Sequence, residues 1–78
     1  MVILKKIKRN NGMIEADYYP EGGSSQGHLS VDITSGELLE HKVAPGHEYS
    51  SAVYHAQRDL LRICRLNVLP VERTVVWY

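Results

Sequence analysis

His47–Leu66 reads HEYSSAVYHAQRDLLRICRL and is the one long segment with helical periodicity. Tyr49, Ala52, Val53, Ala56, Leu60, Ile63 and Cys64 recur at spacings of three and four. That spacing gathers them on one side of a helix with 3.6 residues per turn. At about 100° per residue they span roughly 120°, the width of a core-facing stripe. His55, Arg58, Arg62 and Arg65 fall on the opposite side, again three or four apart. Pro45-Gly46 breaks the preceding segment. Gly46 or Ser50 is placed to cap the helix, and Glu48 suits the positive end of its dipole. Arg62 and Arg65 suit the negative end, Asn67 is a stop, and Pro70 forbids continuation.

Upstream of the helix the chain reads as short strands and turns. Val2–Arg9 mixes Val2, Ile3, Leu4 and Ile7 with Lys5, Lys6 and Lys8, a β-rich run with one wet face. Asn10-Asn11-Gly12 follows, and Asn-Gly is a strong hairpin signal because a type I′ turn needs positive φ at both central residues. In Met13–Tyr19, Ile14, Ala16 and Tyr18 alternate with Glu15, Asp17 and Tyr19. The resulting hairpin sets lysines against Glu15 and Asp17, worth a few tenths of a kcal/mol per pair.

Pro20–Gly27 (PEGGSSQG) is a loop by composition. His28–Ile33 alternates again, with Leu29, Val31 and Ile33 inward and His28, Ser30 and Asp32 outward. Thr34-Ser35-Gly36 turns the chain into Glu37–Val43. There Leu39, His41 and Val43 share one face and Leu38, Glu40 and Lys42 the other. ELLEHK alone would suit a helix equally, and its hairpin-like lead-in favours a strand. Pro70–Tyr78 (PVERTVVWY) is strongly β in composition and apolar on both sides near its end. Such a strand belongs inside a sheet or against a partner.

These segments predict an α+β fold, ββββαβ. Four strands form an antiparallel meander, one amphipathic helix (about 47–66) packs across one face, and a C-terminal fifth strand joins the sheet. The expected inward set is Ile14, Ala16, Tyr18, Leu29, Val31, Ile33 and Leu39 against the helix stripe. The 78 residues are expected to form a single small α+β domain, residues 1–78.

Nine basic and nine acidic residues give zero formal net charge, which argues against a protein that coats nucleic acid electrostatically. One cysteine excludes an internal disulfide, and a reduced Cys64 on the apolar face fits a cytoplasmic location. Lys5, Lys6, Lys8 and Arg9 are followed by no apolar signal-peptide core, and no stretch is apolar enough to span a membrane.

Chemical motifs are weak. Gly23-Ser24-Ser25-Gln26-Gly27 matches G-x-S-x-G, but that nucleophile elbow needs a strand before it and a helix after it, and here a strand follows. The loop also lacks the Gly-Lys-Ser/Thr and helix N-terminus of a phosphate cradle. His47-Glu48 begins H-E-x-x-H, yet Ser51 stands where the second histidine belongs. His47 and His55 are about two turns apart, too far to share one zinc. His28 and His41 fall on neighbouring strands but on opposite faces in the expected register. Neither metal nor cofactor is expected, and His55 is expected to pair with Asp59 one turn on. Cys64 reads as a small core residue.

The function expected is a small non-enzymatic binding or protein-interaction module. It would self-associate as a homodimer through Val75, Val76, Trp77 and Tyr78. The alternative is nucleic-acid binding by the helix's outer face. There His55, Arg58, Arg62 and Arg65 would track phosphates and Tyr54 would stack on a base. The guanidinium's bidentate fit to phosphate or carboxylate favours this second reading; the frequency of solvated charge runs opposes it. Lys5–Arg9 would strengthen it if that cluster converged on the helix arginines, whereas on an edge strand it would only discourage aggregation.

Overall fold

The computed structural model describes residues 1–77. Its elements are β1 (Val2–Asn10), β2 (Met13–Pro20), β3 (Gly27–Asp32), β4 (Leu38–Lys42), α1 (Ala52–Ile63) and β5 (Glu72–Val75). All five strands form one antiparallel sheet in the order β4-β3-β2-β1-β5. The meander and the ββββαβ order are therefore as expected. Helix α1 carries the chain from the β4 edge back across the sheet, so that β5 lands beside β1.

The first turn follows the sequence signal directly. Asn11 and Gly12 have φ of 48° and 80°, the two positive values of a type I′ hairpin. At the third turn the Asp32 carboxylate accepts hydrogen bonds from the Thr34 and Ser35 amides at 2.8 and 3.0 Å. This local closure competes with helix and favours a hairpin. Leu38–Lys42 is accordingly a strand.

Two bulges explain the imperfect alternation. Lys5 pairs with Asp17 and Lys8 with Glu15, so Lys6 and Ile7 together oppose Ala16. Lys6 takes the extra position with φ of 55°. Val2, Leu4 and Ile7 then all reach the core, while Lys5 and Lys8 share the outer face. In β4, Glu40 pairs with Ser30 but Leu38 pairs with Val31, which leaves Leu39 as the extra residue. The expected face for β4 is corrected: Leu38 packs against the core and Leu39 is 50% exposed. Ala44, just after β4, is fully buried. Ile33 lies past the end of β3 and is only partly buried.

The helix is shorter than 47–66. Residues 47–50 form separate turns, and the amide of Ser50 bonds to the His47 carbonyl at 3.1 Å. The Ser50 hydroxyl accepts from the Ala52 amide at 3.1 Å, so Ser50 closes the start of the helix from outside it, while Ser51 stands at the N-cap without a side-chain bond. Tyr49, expected in the core stripe, precedes the first helical turn and is fully exposed. The rest of the stripe is buried. Burying side chains the size of Leu60 or Ile63 contributes about 1.5–3 kcal/mol each. Arg9 ties the far end of α1 to β1, donating to the carbonyls of Cys64 and Leu66. It thereby satisfies acceptors left open at a helix C-terminus.

Candidate interaction site

The helix arginines face water. Arg58, Arg62 and Arg65 are exposed, as is Tyr54, while His55 is half-buried. Asp59 breaks the expected pattern. It is only 3% exposed and turns towards the sheet, where its carboxylate accepts two hydrogen bonds from Arg73 of β5. The bond from Nη2 is 3.1 Å long. Arg73 stands opposite Leu4 in the ladder, so this charged residue of the edge strand points inward. Bonding to Asp59 holds the Arg73 guanidinium even more firmly protonated than usual.

The expected His55–Asp59 pair is replaced by a different contact. The His55 imidazole stacks on the Trp77 indole, with ring centroids 3.9 Å apart and planes 7° from parallel. Asp59 is buried beneath the helix and committed to Arg73, which leaves His55 to the aromatic ring. These contacts shape a groove of about 320 Å³ between α1 and β5, lined by His55, Arg58, Asp59, Arg62, Val75, Val76 and Trp77. Residues expected on two separate surfaces therefore meet in one depression. Tyr54 and Arg65 are not among its lining residues. Tyr78 lies outside the described residues.

The second basic cluster does not merge with the first. β1 lies between β2 and β5, but β5 pairs only with Val2–Lys5, so the Lys8–Arg9 end of the cluster lies on a stretch of β1 that β5 does not cover. Lys5 and Lys8 occupy the face away from the helix, with Glu72 at 4.0 Å and Glu15 at 3.6 Å respectively. Arg9 reaches the C-terminal end of the helix, at the carbonyls flanking Arg65.

That outer face carries a larger depression, about 420 Å³, lined by Asp17, Gln26, His28, Glu40, His41 and Lys42. His28 and His41 both line this depression although they stand on opposite faces of the sheet, as expected: His28 pairs with Lys42, and His41 pairs with core-facing Leu29. Their ring nitrogens already have partners. His28 Nδ1 lies 2.8 Å from the Asp17 carboxylate and His41 Nε2 lies 2.7 Å from the Tyr18 hydroxyl. Among the described residues no three histidine, cysteine, aspartate or glutamate side chains are grouped to hold a metal ion.

The sheet edges differ. β4 is interrupted by its bulge and carries Glu40 and Lys42, features that discourage pairing. β5 is unbulged; it is only four residues long and carries Glu72 and the inward-pointing Arg73, and it is flanked by Val71 and Val76, 75% and 56% exposed. No strand among the described residues pairs with its outer edge. An open edge thus lies beside a cationic groove on a small α+β scaffold. No protein-family model, curated protein or solved structure matches the chain. No helix among the described residues is long and apolar enough to cross a membrane.

Proposed function

We propose that this chain is a non-enzymatic protein-interaction module that self-associates through β5. The observation that carries the reading is the open outer edge of β5 between exposed Val71 and Val76. A second copy can add its own β5 antiparallel to this edge, closing a two-fold dimer whose main-chain groups satisfy one another. A register centred on Val75 opposes Val75 to its counterpart and Thr74 to Val76. It also sets Arg73 near the partner's indole, an arrangement cations favour. A register centred on Arg73 would oppose two guanidiniums and is disfavoured.

Sedimentation velocity at low micromolar concentration tests this. The parent chain should sediment as a dimer. Val76→Lys, at an exposed position, should give a folded monomer. A parent that is monomeric with an intact circular-dichroism spectrum overturns the proposal.

The exposure of Arg58, Arg62 and Arg65 supports the second reading, nucleic-acid binding along α1. Such binding should weaken steeply with salt as counterions are released. A triple alanine variant at these positions that binds RNA as well as the parent eliminates it.

A further inference from the structure

We propose that the groove between α1 and β5 binds a small ligand carrying an oxyanion, a carboxylate or phosphate, on an apolar or aromatic body. The charges in the groove are unbalanced. Arg58 and Arg62 line it with a single carboxylate, Asp59. Asp59 is already held by Arg73, with Arg62 no nearer than 3.8 Å. Arg58 has no ion-pair partner among the described residues. With Asp59 and Arg73 cancelling, two guanidiniums remain on one wall, one helical turn apart. That spacing suits an oxyanion, since each guanidinium presents a fork of donors that matches its geometry.

The opposite wall is Val75, Val76 and Trp77. Val76 is more than half exposed, and the indole is held in place by its stack on His55. An apolar body beside the oxyanion would cover this wall. Size limits the ligand further. About 320 Å³ is at the lower end of small-molecule sites, which span roughly 300–1,000 Å³. A nucleic-acid strand would need a longer track, yet Arg65 and Tyr54 are not part of the lining. The oxyanion donors Arg58 and Arg62 belong to α1, outside the proposed dimer contact, whereas Val76 and Trp77 of the apolar wall lie at its border.

Trp77 is the only tryptophan in the chain, so its fluorescence reports on the groove directly. The probes are phenyl phosphate, benzoate and inorganic phosphate, titrated into the full chain at constant ionic strength. Phenyl phosphate or benzoate should give a saturable change and bind about tenfold tighter than inorganic phosphate; whichever of the two wins identifies the oxyanion. Arg58→Gln should weaken that binding about tenfold or more by removing a charge-assisted donor. Lys42→Gln, in the other depression, should leave it unchanged. The proposal is overturned if no probe gives a saturable change, or if Arg58→Gln and Lys42→Gln behave alike. It is also overturned if only an oligoribonucleotide, and none of the small probes, perturbs Trp77. Sedimentation of Arg58→Gln separates this outcome from the dimer: assembly should persist while ligand binding is lost.

Discussion

Asp59 of α1 and Arg73 of β5 form a two-bond ion pair beneath the helix, fastening the edge strand to the element that precedes it. The carboxylate is almost wholly buried and the guanidinium side chain is 36% exposed. The pair orients β5, leaves Arg58 and Arg62 without a shared anion, and frees His55 to stack on Trp77.

Breaking this pair from one side should be costly. Asp59→Ala leaves a half-buried guanidinium unpartnered and should lower stability by about 1–3 kcal/mol, less than for a fully buried pair because water still reaches Arg73. Replacing both partners, Asp59→Leu with Arg73→Met, should recover most of the loss, since an apolar pair needs no desolvation of charge. Urea unfolding of the two single variants and the double variant checks this. Equal losses in the single and double variants would sink the argument.

The β1 bulge should be improvable. Lys6 holds φ of 55°, a region that disfavours side chains with a Cβ. Lys6→Gly should stabilise the protein by a few tenths to about 1 kcal/mol, the gain offset by the unfolded-state freedom of glycine. Lys6→Val should destabilise it. Thermal melts of both variants decide the sign.

Gly27 has the opposite constraint. A Cβ there would meet the Tyr18 ring and come within 2.7 Å of the Lys42 carbonyl oxygen. Neither neighbour yields easily, since Tyr18 is buried and the carbonyl belongs to the backbone. Gly27→Ala should cost about 1–3 kcal/mol by overpacking. Gly12→Ala, where no atom lies within 4 Å, should show only the backbone strain of positive φ. Denaturation midpoints of the two variants separate crowding from strain.

Alkaline pH should unfold the protein through Tyr18. Burial raises its phenol above the ordinary value of 10.0, with a hydrogen bond from the Ala44 amide opposing the shift. The folded state therefore retains this proton after the unfolded chain has lost it. The stabilisation is fully present below about pH 10 and is lost as pH rises from there towards the folded value. Ultraviolet titration should show one of the five tyrosines ionising late. Tyr18→Phe should flatten the alkaline fall in stability. It should also cost about 1 kcal/mol at neutral pH through the lost hydrogen bonds to His41 and Ala44. An unchanged alkaline profile in Tyr18→Phe would exclude the mechanism.

Local chemistry was enough to specify several elements of this protein. Spacings of three and four on Ala52–Cys64 define a buried helical stripe, Asn11-Gly12 defines a turn, and alternation in Met13–Tyr19 and His28–Asp32 defines two faces. Each rests on bonds or periodicities within a few residues, so neighbouring residues suffice to read it. The candidate site was legible only in parts: the cations of α1 and the apolar residues of β5 were visible, their meeting was not.

Contacts between distant segments decided the rest. The bulges at Lys6 and Leu39 arise where each strand must match a partner's register, and they choose which side chains face the core. The Arg73 side chain turns inward because Leu4 across the ladder lies on the core face and Asp59 is there to receive it. Alternation along β5 could set Arg73 and Val75 on one side, but not say which side the helix would cover. Faces and turns are properties of a segment; register, ion-pair partners and the groove between α1 and β5 depend on where other segments come to rest.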